Sequence, residues 1–193
     1  LKVGARFGVV IVLIENRQVE VATFRTESGY IDGRHPEQVR FSHAAEDAAR
    51  RDFTINGMFY DPVEKKVIDY VGGRKDLAKR IVRTIGDPRL RFSEDYLRML
   101  RAVRFATQLR FTIEPQTMSA IRAHAAKITG ISGERIRAEL EAVLVDSNRT
   151  AGILLLDQTR LAVNIFPTLR PAQIRFAVRA CGKLPAKVDF PLA

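Results

Sequence analysis

Arg50-Arg51-Asp52-Phe53-Thr54-Ile55-Asn56 gathers two guanidinium groups, a carboxylate and a side-chain amide within seven residues. Arginine forks take phosphate oxygens in pairs, while Asp and Asn take sugar hydroxyls. The run can therefore hold a triphosphate and a ribose together. In that arrangement Arg51 meets the triphosphate, Asp52 the ribose hydroxyls, and Asn56 the sugar or phosphate. Phe53 and Ile55 anchor the turn in a core. The same residues allow a plainer reading, a helix end in which Glu46 and Arg50 form an i,i+4 pair worth about 0.2–0.5 kcal/mol.

A second chemical cluster begins about forty residues later, at Ser93-Glu94-Asp95-Tyr96-Leu97-Arg98. Ser93 suits a helix cap, and Glu94 and Asp95 suit the positive first turn. At helical period Tyr96, Met99, Leu100, Val103 and Ala106 share one side. Asp95, Arg98, Arg101 and Arg104 spread over the other. Asp95 and Arg98 stand three residues apart, so their heads can meet across one turn. An Asp–Arg pair held this way offers an acceptor and donors in one plane, which suits the Watson–Crick edge of a base. Arg101 and Arg104 then support the pair or meet phosphates. The alternative is a solvated charged face with an intrahelical salt bridge.

In this order and spacing the two segments resemble the nucleotide-binding motifs of the class II tRNA nucleotidyltransferases (CCA-adding enzymes) and the related bacterial poly(A) polymerases. The resemblance implies that Asp95 and Arg98 act as a protein template for an incoming C or A, with Glu94 in support. It also covers the strand Val19-Glu20-Val21-Ala22-Thr23-Phe24-Arg25, where the matching Glu of the family lies beside the catalytic carboxylates. Glu20 is thereby a candidate for placing Mg²⁺, directly or through water, and Arg25 can face the substrate. Otherwise Glu20 is the outward residue of an alternating strand. Gly72-Gly73-Arg74-Lys75-Asp76 is a third match. It reads as a tight turn between a strand and a helix in preference to a phosphate cradle.

The family provides its metal-bridging carboxylates from an Asp-x-Asp pair N-terminal to these segments, and no Asp-x-Asp occurs in this chain. The expectation is a chain that carries the later portion of a catalytic head and is inactive by itself. The implied reaction is attack of an RNA 3′-hydroxyl, at the tRNA 3′ end, on the α-phosphate of CTP or ATP, with Mg²⁺ as cofactor. Poly(A) synthesis is the alternative within the class, and Val3-Gly4-Ala5-Arg6-Phe7-Gly8-Val9-Val10 is only a partial match to its characteristic first strand. A non-catalytic RNA-binding module is the alternative from another class.

The elements that position these residues divide in character. Arg6–Ile14 and Gln18–Arg25 read as a β-hairpin turning at Glu15-Asn16-Arg17. Thr26–Arg40 reads as a loop, and Ser42 as the cap of a short helix through Ala48. Lys66–Tyr70 and Ile81–Ile85 read as strands around a helix at Asp76–Arg80, and Gly86-Asp87-Pro88 stops regular structure. Helices follow over Ser93–Leu109, Pro115–Lys127, Gly133–Val145, Thr150–Leu156 and Pro171–Cys181, with Pro115 and Pro171 at first-turn positions. The fold class is α/β (α+β): part of a polymerase-β-like nucleotidyltransferase head with a mixed sheet, residues 1–90, then an all-helical neck, residues 91–193. An incomplete head would leave its sheet with an exposed edge.

Composition agrees with a polyanionic partner. The net charge is +10, from 32 basic and 22 acidic residues, and 24 of the basic residues are arginines, the type suited to bidentate phosphate contact. A codon bias toward arginine would give the same Arg/Lys ratio. Cys181 is the one cysteine, which excludes a disulfide framework and a cysteine zinc site and suits a reducing, cytoplasmic setting. His35, His43 and His124 lack metal-ligand spacing. No apolar run approaches the length of a membrane span, and no signal peptide is visible.

Overall fold

The structure is a computed structural model that describes residues 8–30 and 36–190. Strands β1 (Val9–Ile14) and β2 (Arg17–Ala22) pair antiparallel, with Ile14 opposite Arg17. Glu15 and Asn16 between them both have positive φ, 45° and 64°. That is the two-residue geometry that follows the right-handed twist of a hairpin. The expected hairpin is therefore present, with a tighter turn and shorter arms. Its partial-match segment before Gly8 lies outside the described residues.

Thr26–Arg40 is not simply a loop. Within it, β3 (Arg25–Tyr30) and β4 (Pro36–Phe41) pair antiparallel. Its polar composition gives no alternation of apolar residues from which to read strands, and cross-strand pairing wins over that weak local signal.

Helix α1 (Ala44–Ala49) starts after His43, which makes no side-chain cap. Ser42 instead turns its hydroxyl to the His43 carbonyl. A short 3-10 turn, Thr54–Asn56, follows. Strands β5 (Met58–Asp61) and β6 (Lys66–Asp69) then form a hairpin, of which the sequence had indicated only the second arm. Helix α2 (Gly73–Lys79) begins three residues earlier than the apolar pattern suggests. Its start is set by Asp69, whose carboxylate accepts the backbone N–H groups of Val71, Gly72, Gly73 and Arg74. Burial opposes ionisation of Asp69, but these four donors outweigh it and hold its pKa below the ordinary carboxylate value. An internal carboxylate thus fills the glycine-rich cradle, which supports the turn reading of Gly72-Gly73.

Strand β7 (Ile81–Val82) pairs parallel with β8 (Thr112–Ile113), and Thr84 bridges to Phe53. The described strands form four separate two-stranded ladders, three antiparallel and one parallel.

Gly86-Asp87-Pro88 does not stop regular structure; it starts a helix. Asp87 accepts the Arg89 N–H at 2.8 Å, and Pro88 opens α3 (Pro88–Glu94), the capping-residue and first-turn-proline combination. The single helix expected over Ser93–Leu109 is consequently two. Ser93 lies in the last turn of α3 and donates to the Leu90 carbonyl. Asp95 is extended, at φ −155° and ψ 106°, and accepts the Leu97 N–H at 3.0 Å as α4 (Leu97–Leu109) begins. A short carboxylate side chain competes with the backbone here and breaks the helix.

Helices α5 (Pro115–His124), α6 (Gly133–Leu144), α7 (Arg149–Gln158), α8 (Leu161–Ile165) and α9 (Pro171–Cys181) complete the fold. Helix α8 was not expected. Arg160 before it has φ 62°, so a residue other than glycine makes the left-handed turn that ends α7. Helix α4 is central. Met99, Leu100, Ala102 and Val103 are fully buried, and α4 packs against both α6 and α7. Gly152 of α7 permits that approach, because a Cβ there would meet Val143 at 2.5 Å and Thr107 at 2.8 Å. The same core takes in Phe53, Val82 and Phe92, so the turn at 53–56 rests directly on α4.

Candidate nucleotide-binding site

The arginine-rich run leaves α1 as a tight turn held from behind. Thr54 donates its backbone N–H to the Arg83 carbonyl, and Ile85 donates to the Asp52 carbonyl, both at 3.0 Å. The Thr54 hydroxyl donates to Asp76 at 2.8 Å, and Phe53 is buried beneath, edge-on to Phe105. A cleft of about 790 Å³ opens in front of this turn. Eight of the ten residues singled out from sequence line it: Glu20, Arg25, Arg51, Asp52, Asn56, Asp95, Arg98 and Arg101. Segments separated by up to 81 positions are thus brought to one wall (from Glu20 to Arg101).

Asp52 ties the turn to α4. Its Oδ1 accepts the Asn56 amide at 3.2 Å and the Phe53 N–H at 2.9 Å. Its Oδ2 accepts Arg101 Nε at 2.7 Å. Arg51 donates to the Asn56 carbonyl at 2.8 Å and lies 4.7 Å over the Phe59 ring. Arg50 pairs with Asp47, not with Glu46 as the plainer sequence reading had it.

Asp95 and Arg98 line the same cleft but do not pair with each other across the helical turn. Asp95 Oδ2 accepts Arg135 at 2.7 Å. Arg98 bonds Glu94 and the Arg91 carbonyl, the latter at 2.9 Å. The expected contact fails because Asp95 precedes α4 instead of lying within it. Glu94 stands behind the wall, bridging Arg91 and Arg98. Arg104 does not line the cleft. It bonds Glu139 at 2.6 Å and stacks 4.3 Å over Phe105.

Sequence reasoning missed two contributors. Arg135 lines the cleft from α6, forty positions from its partner Asp95. Asp47, buried on α1, accepts both Arg50 and Arg51. Helical i,i+3 and i,i+4 spacing could have indicated the Asp47 contacts, whereas no local pattern announces Arg135. For Arg135 the surplus of arginines near carboxylates was the one signal that pointed in this direction.

A divalent metal does not fit the described side chains by themselves. No three His, Cys, Asp or Glu residues among them gather into a possible ligand set. Glu20 lines the cleft, while Asp52 and Asp95 are each bonded by arginine.

Residues 1–83 match the family described as Poly A polymerase head domain, and residues 110–173 match the one described as probable RNA and SrmB-binding site of polymerase A. The CCA-adding enzyme of Bacillus subtilis is 47% identical over 160 residues, which is 82% of this chain and 40% of that protein. The chain belongs to the family of CCA-adding enzymes and bacterial poly(A) polymerases. A Geobacillus CCA-adding enzyme is 43% identical over 88% of this chain and 42% of its own length. The crystal structure of the Bacillus stearothermophilus CCA-adding enzyme in complex with CTP superposes with a TM-score of 0.80 at 36% identity. It covers 94% of this chain and 43% of that one. The Thermotoga maritima CCA-adding enzyme complexed with tRNA gives a TM-score of 0.71 at 26% identity, over 88% of this chain and 39% of that one. The chain thus spans about two fifths of the length of these relatives. Its fold is that of the family's nucleotidyltransferase head and helical neck. Among the described residues no helix is long and apolar enough to cross a membrane.

Proposed function

We propose that this chain forms the nucleotide-selecting part of a tRNA nucleotidyltransferase that adds CMP and AMP to the tRNA 3′ end. One observation carries the reading: donors and acceptors for phosphate, ribose and base converge on a single cleft. Arg50 and Arg51 supply guanidinium groups at one end, Asp52 and Asn56 a hydroxyl-binding pair next to it, and Asp95 and Arg98 an acceptor and donors for a base edge. Asp95 keeps one lone pair on each oxygen beyond its bonds to Leu97 and Arg135, so it can accept the amino group of cytosine or adenine. Guanine and uracil offer a carbonyl at the corresponding position, which a carboxylate repels.

The names of the relatives, CCA-adding enzymes with bound CTP or tRNA, favour CCA addition over poly(A) synthesis. We read residues 1–90 as the head portion and 91–193 as the neck, acting in the cytoplasm with Mg²⁺. That ion needs carboxylates beyond those of the cleft, with Glu20 as one candidate ligand.

The test supplies a family Asp-x-Asp segment ahead of Leu1, then adds Mg²⁺, labelled CTP and ATP, and tRNA lacking its terminal CCA. Growth that stops after C, C and A supports the reading. A long A-only ladder on varied RNA supports poly(A) synthesis instead, and no incorporation contradicts both.

A further inference from the structure

Asp47 is 2% exposed and does not line the cleft, yet three of the cleft's arginines converge on it. Its Oδ1 accepts Arg50 Nη2 at 2.6 Å, Arg50 Nε at 3.0 Å and the Arg25 backbone N–H at 3.3 Å. Its Oδ2 accepts Arg51 Nε at 3.1 Å and Arg51 Nη2 at 3.0 Å. Arg50 Nε also donates to the Arg25 carbonyl at 2.8 Å, which locks β3 into the same set. Two guanidinium groups on successive residues repel each other, and one carboxylate between them offsets that repulsion while fixing the edge each presents.

Each arginine spends the same edge on Asp47, its Nε and Nη2. Asp47 therefore immobilises both long side chains before any ligand arrives, and the entropy of ordering them is not charged against binding. Its carboxylate suits this task at neutral pH. Burial opposes its ionisation, but the hydrogen bonds and charge of Arg50, with Arg25 N–H and Arg51, keep its pKa below the ordinary value.

We infer that Asp47 is a positioning residue that arranges Arg50 and Arg51 as a paired clamp for the triphosphate of the incoming nucleotide. The inference rests on the nucleotide reading of the cleft and adds to it the residue that prepares the phosphate end. Asn at position 47 has one acceptor oxygen where Asp has two, so it cannot hold both forks. It also leaves one more net positive charge beside the phosphates. Geometry and simple attraction therefore predict opposite signs for the same substitution.

The experiment measures CTP and CMP binding to the intact chain by calorimetry, for the wild type, Asp47→Asn and Asp47→Glu. Wild type is expected to favour CTP over CMP. Asp47→Asn is expected to keep its CMP affinity and lose roughly tenfold in the CTP preference, and Asp47→Glu to restore part of it. Unchanged or increased CTP preference in Asp47→Asn overturns the inference. An equal loss for CTP and CMP also overturns it, since that marks a structural role alone. A wild-type chain that binds neither nucleotide overturns the reading beneath it.

Discussion

Asp52 spends one oxygen on the turn and the other on Arg101 of α4. Replacing it with Ala removes the acceptor proposed for the ribose hydroxyls and leaves the Arg101 guanidinium with Glu139, at 3.8 Å, as its remaining carboxylate partner. Discrimination between CTP and its 2′-deoxy analogue is expected to fall roughly tenfold or more, as for loss of a charged hydrogen bond. Competition binding reads it directly. Acid sensitivity belongs to this scale too. Asp47 and Asp69 both have folded pKa values below the ordinary 3.8. A lowered folded value means that stability is present above the unfolded pKa and lost as pH falls through the folded one. For Asp47 the charges that face it are Arg50 and Arg51. Urea midpoints are expected to lose this contribution below about pH 4, and to fall less steeply there in Asp47→Asn. The residue types at 50–56 pointed to a polar binding surface, and the structure places Arg50, Arg51, Asp52 and Asn56 on one cleft. Asp47 stands at ordinary i,i+3 and i,i+4 helical spacing from Arg50 and Arg51, but Glu46 offers Arg50 a competing carboxylate, and no periodicity relates Arg135 to Asp95 forty positions away.

The elements differ in legibility for stated physical reasons. The periodic apolar face of α4 and the first-turn prolines of α5 and α9 were plain in the sequence, since burial and capping leave local patterns. The strands within 25–41 were not, because they are polar. Helix α3 was hidden because Gly-Asp-Pro reads equally as a stop and as a cap. The break at Asp95 was hidden because a carboxylate after α3 serves two helices at once. It is also what separates Asp95 from Arg98 and gives it to Arg135. Two predictions sit at this scale. Gly73→Ala drives a Cβ into the Thr54 carbonyl and Met58, and overpacking of that kind costs about 1–3 kcal/mol. Because Thr54 lies in the turn proposed to hold the nucleotide, CTP affinity is expected to fall along with the urea midpoint. Leu100→Ala empties a fully buried site on α4 and is expected to cost about 2–5 kcal/mol. An equilibrium denaturation curve checks it.

At the scale of the whole molecule, the net charge of +10 and the match of residues 110–173 to an RNA-binding family predict an RNA binding constant whose logarithm falls linearly with the logarithm of salt concentration. Each phosphate neutralised on a single strand contributes a slope of about −0.7. Asp95→Ala is expected to leave that slope and affinity unchanged while abolishing selective nucleotide binding. The parallel pair β7–β8 and the core from Phe53 to α4 tie the turn at 53–56 to the helical part, so the proposed nucleotide and RNA binding are expected to fall together when that core is disrupted.

The measurement that bears most directly on the central claim is equilibrium binding of all four ribonucleoside triphosphates to this chain, in the wild type and in Asp95→Ala. The account predicts that CTP and ATP bind, that GTP and UTP bind at least tenfold more weakly (about 1.4 kcal/mol), and that Asp95→Ala erases the difference. Equal affinity for all four in the wild type, or selectivity that survives Asp95→Ala, would contradict it.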